Sequence, residues 1–326
     1  MATDKENASF RSTAGALPRK VLVATTMASF HGTAAQRTAQ ALSLIAQAAE
    51  IQTAQHGRRL DLVVLPEYAI QQRDGGPVGA RAVALGGPEL TQLMAAARRY
   101  GCYLIVPAML APRGSNSAAT NSAVLLDRMG NVAGVYDKVH PVCSADGTLE
   151  GGITPGTEYP VFDCDFGRIG IQICWDMCYE EGWLALAERG AELVALCSAS
   201  PQTVRPAMYA LRGPYHVVTS TPRDNATFFS PIGTVLAQTT DRPVLVHEID
   251  LAYAILHWSA TLDEGRALTR RFGPRIGYAY SPREDTGVFW SNDPQTPVRT
   301  MIQELGLVEM GQHIAASTRA VQALQR

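Results

Sequence analysis

The sequence predicts an α/β protein in which two mixed sheets pack face to face between helices. Three observations predict it. The run LDLVVL at 60–65 is apolar without a break, as in a strand buried on both faces. Segments of helical period alternate with strand-like runs over much of the chain. Hairpin-like strand pairs interrupt those units, and four short strands close the regular part.

Residues 1–18 read as a flexible tail. KVLVATT begins a first strand at 20–25. Residues 33–55 are rich in Ala and Gln, with Leu42, Ile45 and Ala49 on one face, an amphipathic helix that Gly57 ends. The strand 60–65 stops at Pro66, and Glu67 follows at once. Residues 88–100 form a second helix closed by Gly101, and 102–109 another strand. The polar stretch RGSNSAATN is a loop. Strands 122–127 and 132–137 pair through Met129-Gly130-Asn131, with Lys138 at their end. Residues 141–160 are a Gly- and Pro-rich loop.

Residues 161–164 and 168–173 pair around Asp165-Phe166-Gly167. In the second of these, Ile169, Ile171 and Ile173 alternate with smaller or polar residues. YEEGWLALAERG then has helical spacing with acidic residues in its first turn. Cys174 therefore falls where a strand passes into a helix, a turn that exposes a side chain at a sheet edge. A helix N-terminus there would favour the thiolate. A strand at 192–196, a helix at 205–212 and strands at 217–221, 226–230, 234–238 and 244–249 follow, one turn being Pro231-Ile232-Gly233. From Leu251 the pattern weakens into Gly, Pro, charge and scattered aromatics. The chain thus divides into a tail (1–18), a domain (19–250) and a C-terminal extension (251–326), either solvated or wrapped on a neighbouring subunit.

With 326 residues, the chain is long enough for one large α/β domain or two small ones, and no internal repeat marks a second. Its 46% hydrophobic and 18% charged residues are ordinary for a soluble enzyme. A net charge of −2 and no Lys/Arg run leave no footprint for nucleic acid or anionic membrane. No apolar run is long enough to span a bilayer, and the first residues lack the apolar core of a secretory signal. Six cysteines in such a chain read as reduced thiols in the cytoplasm rather than a disulfide framework.

Three polar residues stand at strand ends: Glu67, Lys138 and Cys174. Ends of strands in layered sheets can converge on one pocket. There a glutamate can take a thiol proton, a lysine can stabilise an oxyanion, and a cysteine can bond to a carbonyl or nitrile carbon. Each alone has an ordinary explanation: a solvated loop acid, a surface ion pair with Asp137, a small buried hydrophobe. The seven histidines form no Cys–His motif. HExxH, paired CxxC, Walker and GxGxxG patterns are missing, and Cys174 and Cys178 are too isolated for a zinc site. No metal or cofactor is expected.

Taken together, these segments resemble the nitrilase, or carbon–nitrogen hydrolase, superfamily from about residue 20 to 249. LVVLPEY is similar to its glutamate motif, VYDKVHPV to its lysine motif and GRIGIQICWDMCYEE to its cysteine motif. TLEGGITPG is similar to the segment with the family's second glutamate, which would be Glu150. The resemblance implies a four-layer αββα sandwich and a homodimer built as αββα–αββα, the helices outside the Cys174 sheet and the C-terminal segment lying in the contact. It implies that Glu67 takes the Cys174 proton, that the thiolate attacks, that Lys138 and the Trp175 N–H hold the oxyanion, and that water then hydrolyses a thioester. Tyr68, Trp175 and His140 are the residues expected to contact substrate; for His140, packing on its loop is the equal alternative.

Cys-Trp-Asp resembles the N-carbamoyl-amine amidase branch, whereas true nitrilases more often carry Cys-Trp-Glu. MCYEEGW lacks the usual Phe-Pro-Glu of the carbamoyl amidases, and SASPQT and YHVVTSTPRDN also depart from well-known branches. The substrate expected is a small linear amide or N-carbamoyl compound. A nitrile is the alternative, and a non-catalytic binding or redox-sensing scaffold is the reading from a different class.

Overall fold

A computed structural model describes residues 12–71, 78–113 and 118–325. The first eleven residues of the expected tail, and 114–117 of the expected polar loop, lie outside the described residues. The chain begins with β1 (Lys20–Thr26), α1 (Ala34–Gln55), β2 (Leu62–Val64), α2 (Val78–Arg81), α3 (Pro88–Tyr100), β3 (Tyr103–Leu110), β4 (Thr120–Leu126) and β5 (Val132–Asp137). It continues with β6 (Val161–Cys164), β7 (Gly167–Ile173), α4 (Glu180–Glu188), β8 (Leu193–Cys197), α5 (Val204–Arg212), β9 (His216–Ser220), β10 (Ala226–Phe229) and β11 (Val235–Thr239). β12 (Val244–Asp250) returns to β1. Last come β13 (Tyr253–His257), α6 (Arg266–Phe272), β14 (Ile276–Ser281), β15 (Thr286–Ser291), α7 (Val298–Glu304) and α8 (Met310–Leu324).

Two six-stranded sheets result, ordered β12-β1-β2-β3-β4-β5 and β11-β10-β9-β8-β7-β6. Both are mixed. β1, β2 and β3 run parallel, as do β7, β8 and β9, and antiparallel strands flank each trio. Val21 and Val23 of β1 join the core between the sheets, while Leu22 and Ala24 face the helices. Burial on both faces explains why these strands read as unbroken apolar runs. A capping box between Thr33 and Gln36 starts α1. Its buried stripe is Ala41, Leu44, Ile45 and Ala48, set beside the expected Leu42–Ile45–Ala49 line. The sandwich is thus helix–sheet–sheet–helix. At the end where β2 and β7 begin, Arg128 reaches Asp61 at 2.6 Å and Asp165 at 2.7 Å. The opposite end, at the carboxyl ends of the parallel strands, is where Glu67 and Cys174 follow β2 and β7.

The expected C-terminal extension is a folded layer. β13, β15 and β14 form a third sheet, and α6 and α7 bury Leu268, Phe272, Met301 and Ile302 against it. Short strands with Gly277 and Gly287 inside them, set between charged turns, hid this sheet from periodicity. The expected tail is also held where it is described: Ala14 is fully buried in the same core, and its carbonyl accepts from Arg299 N–H at 2.9 Å.

Candidate active site

Three loops bring the candidate residues together. β2 ends at Val64, and Glu67 follows on a tight turn in which Tyr68 has φ 61°. β5 runs straight into Lys138, whose N–H bonds the Asn121 carbonyl at 2.8 Å. Its side chain is 1% exposed. The ordinary alternative for Lys138, a surface ion pair with Asp137, is not what forms: Asp137 pairs with Arg113 at 2.6 Å. The 141–160 loop folds back over this strand end. Gly156 N–H bonds the Lys138 carbonyl at 2.9 Å, and a Cβ at Gly156 would lie 2.1 Å from the Asp137 carbonyl oxygen. Only glycine permits that approach.

Glu67, Lys138 and Glu150 form one buried cluster. Lys138 Nζ donates to Glu67 Oε1 at 3.0 Å and also pairs closely with Glu150. Asn121 Nδ2, from β4, bonds Glu67 Oε1 at 2.8 Å and Glu150 Oε2 at 2.9 Å. Tyr68 donates its hydroxyl to Glu150 Oε2 at 3.2 Å, and the Ala199 N–H donates to Glu67 Oε2 at 3.2 Å. Val142 N–H holds Glu150 Oε1 at 3.0 Å. Every carboxylate oxygen of the pair therefore has a donor, which is what a buried charge needs.

Cys174 is 9% exposed and its charge environment couples it to this cluster. Burial pushes its thiol up to about 12, with the Glu67 charge adding to the rise and Lys138 opposing it. The helix expected to favour the thiolate does not begin at this residue. β7 passes into a single 3-10 turn, Cys174–Cys178, and α4 starts only at Glu180. Burial likewise raises the Glu67 carboxyl above its ordinary 4.5, against the lowering pull of Lys138. Burial alone would lower the Lys138 ammonium, but the Glu67 and Glu150 carboxylates outweigh it and hold the lysine above its usual range.

Cys174, Glu150 and Tyr68 all have left-handed backbone, at φ 44°, 42° and 61°. Such conformations cost roughly 1–3 kcal/mol each and concentrate where function over-determines them. A cavity of about 370 Å³ opens beside Glu67 and Tyr68, walled by Phe30, His31, Gln36 and Pro222. Trp175 is 40% exposed. His140 sits behind the cluster: its ring stacks on Tyr179 at 3.8 Å, lies 3.5 Å from Asp176 and reaches Glu181 at 3.0 Å. These contacts pack the ring against the Asp176 turn and the start of α4.

Two contributors escaped sequence reasoning. Asn121 read as the end of a polar loop. Asp176 read only as part of a motif, yet it is fully buried and bonded to both strand ends. An aspartate two residues past the cysteine was the available signal for the second. Among the described residues no group of His, Cys, Asp and Glu side chains could hold a metal ion, and no helix is long and apolar enough to cross a membrane.

Residues 24–257 match the carbon–nitrogen hydrolase family. A deaminated glutathione amidase of Yersinia enterocolitica is 29% identical over 158 residues, 46% of this chain and 55% of that protein. An N-carbamoylputrescine amidase of Solanum tuberosum is 30% identical over 111 residues, 34% of this chain and 36% of that protein. The chain thus spans about half of the first relative's length and a third of the second's. A carbon–nitrogen hydrolase structure from Helicobacter pylori G27 superimposes with a TM-score of 0.61 at 19% identity, covering 72% of this chain and 90% of that one. That likeness concerns the fold, the αββα sandwich described above. The chain belongs to the carbon–nitrogen hydrolase family of the nitrilase superfamily.

Proposed function

We propose that this protein is a cofactor-free cysteine amidase that cleaves the C–N bond of a small linear amide or N-carbamoyl compound. The observation that supports this most is the meeting of Glu67, Lys138 and Glu150 in one buried cluster whose charges act on Cys174. In the resting site the thiol holds its proton. A carboxylate at 4.5 would be a poor base for it, so the raised Glu67 narrows the gap. As the Cys174 sulfur bonds to the carbonyl carbon, its proton passes to Glu67 and the carbonyl π electrons move to oxygen. Lys138 and the Trp175 N–H stabilise that oxyanion. Collapse breaks the C–N bond, and the amine leaves with the proton from Glu67. Water then attacks the thioester, Glu67 takes its proton, and the acid and thiol are released. Glu150 holds the lysine charged. Both relatives named above are amidases, which supports the amide reading over the nitrile one. We further propose a cytoplasmic homodimer.

The test is release of ammonia and carbon dioxide from panels of linear amides, N-carbamoyl amines and nitriles, by the parent and by Cys174→Ala. Ammonia from an amide is expected, and carbon dioxide alongside it marks an N-carbamoyl substrate. The variant should be folded and inactive. Turnover by a folded Cys174→Ala protein overturns the mechanism, and turnover of nitriles alone overturns the substrate class.

A further inference from the structure

Lys138 and Cys174 end strands of different sheets, so no shared ladder of backbone hydrogen bonds sets their spacing. The Asp176 side chain links them. Asp176 Oδ2 accepts from the Ile173 N–H at 2.9 Å and from the Tyr136 hydroxyl at 2.7 Å. Its Oδ1 accepts from the His140 N–H at 2.9 Å. Ile173 immediately precedes Cys174, and Tyr136 and His140 bracket Lys138 two residues to either side. The Asp176 carbonyl accepts in turn from Trp183 Nε1 at 3.3 Å, which anchors the turn to α4.

The chemistry makes this link stiff. A fully buried carboxylate is tolerated only with its oxygens satisfied, and hydrogen bonds to a charged acceptor are roughly twice as strong as neutral ones. Its donors on the lysine side are a phenol and a backbone N–H, and on the cysteine side a backbone N–H. The strand end that carries Lys138 therefore cannot shift relative to the Cys174 turn without breaking a charge-assisted bond.

We propose that Asp176 is a positioning residue that sets the distance between the Lys138 ammonium and the Cys174 sulfur. It rests on the reading of Cys174 as nucleophile, yet its test does not require turnover. The lysine charge favours the thiolate, so moving it away slows alkylation of Cys174. Asp176→Asn removes the charge and, whichever way the amide turns, sets its NH₂ against a backbone N–H that can only donate, Ile173 on one side or His140 on the other, and so loosens one side of the link.

Labelling of Cys174 by iodoacetamide is followed by peptide mass spectrometry in the parent, Asp176→Asn, Lys138→Gln and the double variant, each checked for folding by circular dichroism. Asp176→Asn should slow labelling about tenfold in the parent and less than about twofold in the Lys138→Gln background, because its effect passes through the lysine. Unchanged labelling overturns the proposal. So does an equal loss in both backgrounds, which would make Asp176 a support of the cysteine turn alone. Should either Asp176→Asn or Lys138→Gln not fold, Tyr136→Phe removes one donor and keeps both charges. It should slow labelling and lower kcat with KM unchanged, and unaltered labelling overturns the proposal. Cys174→Ala that still turns over would sink the functional reading by itself and leave this cycle interpretable.

Discussion

Lys138 Nζ lies 3.0 Å from Glu67 Oε1, with both side chains 1% exposed, although 71 positions separate them in the chain. Burial raises the Glu67 carboxyl more than the lysine lowers it. The proposed base must be unprotonated to accept the thiol proton. A raised pKa means protonation begins at a higher pH than for an ordinary carboxylate. The kcat/KM profile should therefore fall on acidification with a midpoint above 4.5. A pH profile flat down to 4.5 and below would remove Glu67 from the role of base.

Asn121 is 1% exposed and gives one amide nitrogen to both glutamates. Both partners are acceptors, so the nitrogen must face them. Asn121→Asp would place a third carboxylate against two others and one lysine. Like charges raise one another's pKa. The acidic limb should move to higher pH and kcat should fall by about tenfold or more. Asn121→Leu, which adds no charge, should lower kcat without moving the limb that far. Identical pH profiles for the two variants would show that Asn121 acts by packing alone.

Much of this site could be read before the fold was seen, for a physical reason. Glu67, Lys138 and Cys174 each follow directly on a strand with a clear apolar pattern, so strand ends located them. Asn121 and Asp176 could not be found that way. Their importance lies in hydrogen bonds across 54 and 40 positions, to Glu67 and Tyr136, and no local periodicity encodes such a bond. The same limit explains the third sheet. β14 and β15 are six residues each with Gly277 and Gly287 inside them, and the burial of their core face depends on α6, α7 and residue 14 arriving from elsewhere. The thiol was misjudged because its pKa follows burial, a tertiary property, rather than the helix anticipated beside it.

His216 gives a stability prediction. It is 3% exposed, and burial lowers its pKa to about 4 from 6.5. The unfolded chain binds the proton first on acidification. Stability is thus fully present above about pH 6.5 and is lost as pH falls toward 4, by on the order of 3 kcal/mol for this group. His216→Gln should flatten the dependence of Tm on pH between 6.5 and 5 relative to the parent. The same slope in both proteins, by calorimetry, would assign the loss to other groups.

The proposed dimer has a candidate face. α5 lies outside the Cys174 sheet and exposes Val204, Met208 and Leu211 at 79%, 41% and 52%. Spacing of four and three residues puts them on one stripe. Light scattering at micromolar concentration should give a dimer mass, and Met208→Glu with Leu211→Glu should give a monomer. A monomeric parent refutes the dimer, and a dimeric double variant moves the contact elsewhere.

Glu150 separates two readings of the proposed catalytic cluster. It sits at φ 42°, a costly backbone shape for a residue with a Cβ, just before Gly151 and Gly152, which take positive φ freely. Its carboxylate collects Lys138, Asn121, Tyr68 and the Val142 N–H. A solvated loop acid would gather none of these. The second carboxylate keeps a buried lysine charged against the cost of burial, and that charge is what an oxyanion needs. Glu150→Gln preserves shape and can still accept from one or two of these donors. It removes the charge, and its NH₂ would face Lys138 or Tyr68, both donors here. The turnover number should fall by about tenfold or more, with KM changed far less, because a transition-state charge is lost rather than a substrate contact. Activity within about twofold of the parent would leave Glu67, Lys138 and Cys174 as the whole catalytic set and reduce Glu150 to a brace for its loop.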